Sequence, residues 1–447
     1  MIQWFLGVAA LAAIIYYFCI KPISYWRERG VKQNDRPTWL LGDDWKFIIR
    51  KESFFEFTVR CYNQFQGTRY YGIYESGQPT LLIKDPEILR KITVKDFDHF
   101  TNHRNFIPEE ADPLFGKNLF FSKGEKWREM RPILSPAFTS SKMRTTFVLI
   151  SKCTKEFVNH FLKKNQKCIE MEMKDTFTRF TNDVIATSAF GVEVDSLKEP
   201  DNEFYLMGKE ATDLGGFGIM FKFIAYSLVP ELMKFLRITL LKQAVIKFFC
   251  DLVDNTMQVR EKNNIIRPDM IHLLMEAKKG VHHKEENSDV NTGFTTVKEA
   301  DLESLRKWPS TVSTDRVCTK PYTIEAMNAD EKPLHIEKGI SLMIPIVGIH
   351  RDPKYYPDPE RFDPERFNDE NKGKIDPFTY MPFGLGPRNC IGSRFALLET
   401  KLLFFHLLSH FELVPVEKTQ VPLKLSRKTF NLTAEKGFWL GLKRLEK

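Results

Sequence analysis

The chain has 447 residues, of which 43% are hydrophobic and 28% are charged, and its formal net charge is +8. This is the composition of a globular protein, and it excludes a disordered or low-complexity chain. The modest charge fits solubility, or docking to an acidic partner or an anionic membrane face, and we expect no nucleic-acid partner. The seven cysteines form no Cys-x-x-Cys pair. The sequence therefore indicates neither a zinc site nor a disulfide framework, and a reduced, cytosol-facing chain fits best.

The first predicted element is a membrane anchor in residues 2–20, which contain no charged side chain. At about 1.5 Å per residue, a helix of this length nearly spans a hydrocarbon core of about 30 Å. Lys21, Arg27 and Arg29 follow, and positive charge near a span tends to stay on the cytosolic side. A cleaved signal peptide is the alternative, although no small-x-small cleavage site follows and no positive charge precedes the apolar stretch. We predict an anchor over 1–21, a linker over 22–44 and one domain over 45–447.

Two stretches in the first half of this domain indicate local structure. Residues 80–84 form an apolar run directly before Asp85 and Pro86, which predicts a buried strand that ends in a turn. Trp127 and Arg131 lie four residues apart, so they share one face of a helix. That face can present an indole N–H and a guanidinium to a single carboxylate, although an ordinary amphipathic helix has the same spacing.

The composition changes twice in the middle of the chain. Aromatic residues are dense from Phe204 to Phe249, which is typical of an apolar core. Residues 276–300 are polar and predict a solvated loop. His282 and His283 lie in this loop, but no further ligand flanks them at a spacing that suits a metal.

Charged residues return in the last third of the chain. Glu303 and Arg306 are three residues apart, so they can pair on one helix face. A second charged segment, Pro359–Phe367, contains Arg366. Short alternating runs over 317–346, and again over 423–442, predict strands.

Cys390 carries the chemistry that these segments surround. It follows Gly384, Gly386 and Arg388 and precedes Gly392. Glycines leave room for a large flat group to approach the backbone, and arginine offers a planar cation that suits a carboxylate. An apolar pattern at helical spacing follows, formed by Ile391, Phe395, Leu398, Leu402 and Phe405. Cys390 is therefore expected at a helix N-terminus, where a thiolate is favoured. A thiolate, the room left by the glycines and the arginine cation together suit the axial ligation of haem iron.

These segments resemble the motifs of the cytochromes P450. Phe383, Gly386, Arg388, Cys390 and Gly392 match the family's Phe-x-x-Gly-x-Arg-x-Cys-x-Gly loop. The other matches are the Trp-x-x-x-Arg helix, the Glu-x-x-Arg helix and the Pro-Glu-Arg-Phe segment. The stretch Asp-Arg-Val-Cys-Thr-Lys-Pro-Tyr is most similar to insect members of the clan that includes the mammalian drug-metabolising enzymes. The alternative, a buried structural cysteine at a loop-to-helix junction, weakens with each further motif.

The resemblance implies a mainly α fold with small β-sheets and the function of a haem-thiolate monooxygenase, anchored in the endoplasmic reticulum membrane with its catalytic domain in the cytosol. It implies that haem b is bound with Cys390 as the iron ligand, with Trp127, Arg131 and Arg388 near the propionates and with His103 or Arg104 as an additional basic contact. Electrons from NADPH would arrive through NADPH-cytochrome P450 reductase, with cytochrome b5 as an additional partner. One atom of O2 would enter a lipophilic substrate.

The resemblance also implies roles for residues away from the iron. Glu303, Arg306 and Arg366 would form a buried charged triad that braces the core behind the haem. Residues 204–249 would roof the substrate cavity and dip towards the membrane. The residues expected on a basic docking face are Lys126, Arg128 and Lys401.

One element of the resemblance is missing. The family has a long apolar helix across the distal haem face, with the signature Ala/Gly-Gly-x-Asp/Glu-Thr, whose acid and threonine guide protons during oxygen activation. No such motif occurs in this sequence, and the polar loop that ends at Ala300 leads almost directly to Glu303. We therefore expect an incomplete P450 fold with an internal deletion near Ala300 and Asp301. The alternative function is a catalytically inactive haem-binding or misfolded isoform.

Overall fold

The computed structural model describes Trp4, Tyr16 and residues 21–35, 37–38, 41–105, 109, 112–213, 215–267, 269–278, 298–328 and 331–446. The predicted anchor lies outside these residues, apart from Trp4 and Tyr16. Most of the predicted polar loop lies outside them as well. Within the described part of the chain, no helix is both long enough and apolar enough to cross a membrane.

Helices are the commonest regular elements of the described fold. We number them in chain order, and several short 3₁₀ or π turns lie between them. The helices are α1 Tyr25–Glu28, α2 Trp45–Ile48, α3 Phe54–Asn63, α4 Pro86–Arg90, α5 Pro113–Gly116, α6 Gly124–Leu134, α7 Ser140–Leu162, α8 Met173–Ile185, α9 Glu203–Thr212, α10 Phe217–Leu228, α11 Pro230–Phe235, α12 Gln243–Asn263, α13 Met270–Lys278, α14 Glu299–Lys307, α15 Ile346–His350 and α16 Ser393–Leu408.

The strands form small sheets, so the predicted class, mainly α with small β-sheets, is confirmed. The strands are β1 Tyr70–Glu75, β2 Gln78–Ile83, β3 Cys168–Glu172, β4 Thr314–Val317, β5 Tyr322–Ile324, β6 Leu334–Ile336, β7 Ser341–Ile344, β8 Phe411–Val414 and β9 Trp439–Arg444. One sheet has the order β1-β2-β7-β4, in which β2 and β7 run parallel. The order β3-β9-β8 forms a second sheet, and β5 pairs with β6.

Side-chain caps fix the starts of two helices, one of which follows a predicted strand. The strand expected before Asp85 is β2, and the Asp85 carboxylate then accepts the Ile88 N–H at 2.9 Å to cap α4. Ser53 and Glu56 form a reciprocal capping box at the start of α3.

The strands expected over 423–442 are mostly absent from the described residues. There, β9 begins only at Trp439, and Leu425 and Ala434 form an isolated bridge.

Two apolar cores position the region around Cys390. The first surrounds the four-stranded sheet and includes Leu81, Leu342, Ile349 and Met381. The second joins α7, α8 and α16 to the sheet of β3, β8 and β9. The helix predicted after Cys390 is α16, whose Leu398 and Leu402 lie in the second core, whereas its Phe405 is 70% exposed.

Candidate functional site

Cys390 lies at the end of a tight turn beside a cavity of about 470 Å³. The turn Gly386–Arg388 is a single 3₁₀ turn, and the Cys390 N–H then donates to the Phe383 carbonyl at 2.8 Å. Cys390 is exposed, and α16 begins three residues later at Ser393. The backbone therefore holds the thiol at the cavity wall, just before the N-terminus of a long helix.

The glycines of this turn have local structural reasons. Gly384 and Gly386 have φ angles of +78° and +67°, which favour glycine. A Cβ on Gly386 would lie 1.8 Å from the Thr93 carbonyl oxygen. Gly386 thus gives clearance to the neighbouring backbone at Thr93. A Cβ on Gly392 would make only an ordinary contact, 3.6 Å from the Phe138 ring.

Trp127 and Arg131 face the same cavity from α6. The Arg131 guanidinium donates to the Asn389 carbonyl at 3.0 Å and to Asn389 Oδ1 at 2.9 Å, directly beside Cys390. Arg388 lies under the Trp127 ring, with its guanidinium carbon 4.2 Å from the ring centroid. The helix and the cysteine turn, separated by more than 250 residues in sequence, are thus joined by two arginines.

Arg388 is buried and donates to backbone carbonyls. Its Nε donates to Thr101 at 2.8 Å and its Nη2 to Ser122 at 2.7 Å. Burial lowers the pKa of Arg388 to about 9; the charge of Arg316 adds to the decrease and that of Asp315 opposes it. The turn therefore carries a buried cation that donates its hydrogen bonds to neutral backbone carbonyls.

Three residues of this region were not selected from the sequence as one group: His103, Asp315 and Arg316. His103 Nδ1 lies 3.0 Å from Asp315 Oδ1, and its ring stacks on Phe120 at 4.0 Å between centroids. Arg316 is 1% exposed, and its Nε has no hydrogen-bond partner among the described residues. Burial lowers the pKa of Arg316 to about 10, and burial also lowers the pKa of His103. An arginine within a short buried strand was the available signal, because such a charge needs a partner.

Arg104 and the three basic docking candidates have other surroundings. Arg104 pairs with Glu75 at 3.3 Å and lines a different cavity from the one beside Cys390. Lys126 pairs with Glu109 at 2.7 Å, Arg128 with Asp98 at 2.6 Å, and Lys401 with Asp301 at 3.8 Å. Lys126 and Arg128 are on the same helix as Trp127, so they lie near the cysteine side of the cavity.

The structure brings Glu303, Arg306 and Arg366 together. Arg306 Nε and Nη2 each donate to a Glu303 carboxylate oxygen at 2.7 Å, and both side chains are fully buried. Arg366 Nε lies 3.8 Å from Glu303 Oε1. Removal of one partner from such a buried pair typically costs about 3–5 kcal/mol, because the other charge is left without compensation.

His350 links this charged cluster to the segment that leads to Cys390. Its Nδ1 lies 3.1 Å from the Arg306 carbonyl oxygen, and its Nε2 accepts the Met381 N–H at 2.9 Å. Burial lowers the pKa of His350 to about 3, so the ring is neutral, and Nδ1 carries the proton that it donates. Sequence reasoning missed His350, because its role depends on contacts with residues 44 positions before it and 31 after it.

This combination of fold and site defines the class of haem-dependent monooxygenases, oxidoreductases that bind haem b. Within that class the chain belongs to the cytochrome P450 family, since the family model described as Cytochrome P450 matches residues 34–302 and 295–440.

Several insect cytochromes P450 are similar to the chain over nearly its whole length. Cytochrome P450 9e2 of Blattella germanica is 41% identical over 528 aligned positions, which cover 98% of this chain and 97% of that protein. Probable cytochrome P450 9f2 of Drosophila melanogaster is 36% identical over 515 positions, which cover 98% of this chain and 99% of that protein. Cytochrome P450 6k1 of Blattella germanica is 30% identical, with 97% of this chain and 95% of that protein covered. The expected insect-type relationship is confirmed.

Proposed function

We propose that the chain is a haem-thiolate monooxygenase in which Cys390 is the axial ligand. The observation that carries this proposal is that Cys390, Trp127 and Arg131 line one cavity. Haem b, when bound, supplies the activation of O2 and the insertion of one oxygen atom into a lipophilic substrate. The protein would contribute the thiolate, which donates electron density and favours O–O cleavage, and the groups that orient the cofactor.

The charge of the site supports binding of a dianionic cofactor. Arg131, Arg316 and Arg388 contribute three guanidiniums. The charges of Arg131 and Arg316 lower the pKa of Arg388, and the Asp315 carboxylate is the charge that raises it. His103 adds no positive charge, because burial lowers its pKa. Excess buried positive charge is costly without an anion. The two propionates of haem b would supply the missing negative charge, with Trp127 as an additional N–H donor.

We propose that NADPH supplies electrons through NADPH-cytochrome P450 reductase, with cytochrome b5 as an additional partner. Lys126 and Arg128 support a docking site for acidic residues, because surface ion pairs are weak and can be exchanged for a partner's carboxylates. In the absence of O2, NADPH and reductase should together produce the thiolate-type carbon monoxide difference spectrum. NADPH alone should not produce it. The rate should fall roughly tenfold in Lys126→Glu/Arg128→Glu at low salt, whereas dithionite should reduce this variant normally. An unchanged rate would exclude this docking site.

We further propose that the chain is anchored in the endoplasmic reticulum membrane with residues 45–447 in the cytosol. The uncharged residues 2–20 support this, as do large apolar side chains exposed on α10 and α11, including Phe221 at 70% and Phe235 at 83%. On sealed microsomes, added protease should degrade the domain without detergent. The reverse result, a protected domain that is cleaved only after detergent is added, would refute this orientation.

An inactive isoform is the second candidate function, and the comparisons contain one observation that favours it. The alignment with cytochrome P450 9e2 has 528 positions, whereas the chain has 447 residues, so at least 81 positions face no residue of this chain. The two family-model matches meet at residues 295–302, which is where the sequence predicts a deletion. We infer that the distal helix is missing and that this chain is impaired in catalysis.

A further inference from the structure

A second cavity, of about 400 Å³, lies on the side of the fold formed by α2, α3, α10 and the four-stranded sheet. Its wall is rich in aromatic side chains: eight phenylalanines line it, among them Phe47, Phe120, Phe223 and Phe430. A cavity of this size and character suits a lipophilic molecule of moderate size, and the ring faces also attract cations.

The second cavity adjoins the one beside Cys390. Phe120 and Thr314 line both cavities. Phe120 is held by its stacking on His103, which lies in the Cys390 cavity wall. A molecule seated in the aromatic cavity would therefore have one end near Phe120 and Thr314, next to the site proposed for the haem.

The charged residues of the cavity wall are mostly acidic. Among the described residues that line the cavity, they are Asp44, Glu75, Asp315 and Arg104. Asp315 lies at the Phe120 side of the cavity, because it contacts His103 at 3.0 Å and His103 stacks on Phe120, so Asp44 and Glu75 are the carboxyls that remain against the Arg104 guanidinium. The Arg104 guanidinium lies beside Glu75, with its Nη1 3.3 Å from Glu75 Oε2, whereas the backbone N–H of Arg104 donates to Asp315. The Asp44 carboxyl accepts from Ser76, at 3.0 and 3.1 Å from the N–H and 3.2 Å from the hydroxyl, and no cation among the described residues is in hydrogen-bond contact with it.

We propose that this cavity selects lipophilic substrates that carry one positive charge, such as protonated tertiary amines, with the cation beside Asp44 and Glu75 and the apolar body directed towards Phe120 and Cys390. The proposal rests on the monooxygenase function for the reaction itself, but not for the binding preference. The phenylalanine faces and the two carboxyls act on the same charge, whereas a neutral molecule gains only the apolar contacts.

The protonation of Asp44 makes the preference depend on pH. Burial raises the pKa of Asp44 to about 8, and the nearby charge of Glu75 adds to the increase, whereas Arg104 opposes it. Burial also raises the pKa of Glu75. Asp44 is thus mostly neutral below about pH 8 when no cation is bound, and a cation must displace its proton. Affinity for a cation should therefore rise as pH increases through this range.

The test compares two ligands of the same shape. The cation is 4-phenylbutyltrimethylammonium, whose charge is independent of pH, and the neutral ligand has carbon in place of its nitrogen. Equilibrium dialysis against the purified full chain in lipid nanodiscs measures both affinities. We expect the cation to bind about tenfold more tightly at about pH 8.5, and its affinity to rise roughly tenfold from about pH 6.5 to about pH 9. The affinity of the neutral ligand should not change with pH.

Variants test how much the two carboxyls contribute to the preference for the cation. Asp44→Asn and Glu75→Gln should each reduce the advantage of the cation several-fold, and Asp44→Asn should also remove most of the pH dependence. Asp369→Asn, which removes a carboxylate that does not line the cavity, should change neither. Equal affinities of the two ligands for the wild-type chain would overturn the proposal, as would an unchanged preference in both cavity variants. Haem content, measured on the same samples, tests the monooxygenase function separately.

Discussion

Replacement of Cys390 by alanine should abolish the thiolate-type carbon monoxide difference spectrum of the dithionite-reduced protein. The backbone turn before Cys390 does not depend on the side chain, because the N–H of residue 390 donates to the Phe383 carbonyl and Gly386 packs on Thr93. The variant should therefore keep its fold and lose only the sulfur ligand. We expect at least a tenfold loss of the signal, because the spectrum requires a thiolate ligand and alanine has no atom that can ligate the iron.

The other exposed cysteines provide the matched control. Cys168 on β3 and Cys250 on α12 are exposed like Cys390, but they do not line its cavity. Cys168→Ala and Cys250→Ala should keep the spectrum of the unmodified chain. A normal thiolate-type spectrum in Cys390→Ala would mean that another cysteine ligates the iron, and the assignment of this site would be wrong.

The sequence predicted those parts of the site that lie close together along the chain. Cys390 and its glycines, the four-residue spacing of Trp127 and Arg131, and the three-residue spacing of Glu303 and Arg306 each form a local pattern. In the structure, each pattern lies on one turn or one helix. Local patterns of this kind survive folding, because helix and turn geometry fixes which neighbours share a face.

The parts that depend on long-range contacts could not be predicted in the same way. Arg316 becomes a member of the site only because β4 pairs with β7 and brings it to His103, more than 200 positions away. The carboxyls that line the aromatic cavity, Asp44, Glu75 and Asp315, come from three distant segments. No spacing in the sequence encodes these encounters. Phe405 shows another limit of sequence patterns. It belongs to a regular apolar spacing but is 70% exposed, so such a spacing does not establish that every member faces a core.

Insertion of a family-typical distal helix after Ala300 should raise the product formed per NADPH consumed by at least tenfold. The expected reason is twofold: the helix would cover the cavity beside Cys390 and would bring the acid and threonine that guide protons. Such a helix would also bury large apolar side chains, and their burial stabilises the fold. The unmodified chain should therefore also retain haem poorly and unfold at a lower temperature.

The experiment compares three proteins reconstituted with reductase under the same conditions: the 447-residue chain, the chain with the inserted helix, and the inserted chain with alanine and valine in place of the acid and threonine of the insert. Product, NADPH consumption and hydrogen peroxide are measured together with haem content. The unmodified chain should release mainly peroxide, and the third protein should recover haem and stability without recovering product, because it restores the cover but not the proton path. Equal coupling and equal haem content in the first two proteins would show that the chain needs no distal helix, and residues 276–300 would then be the place to search for another proton path.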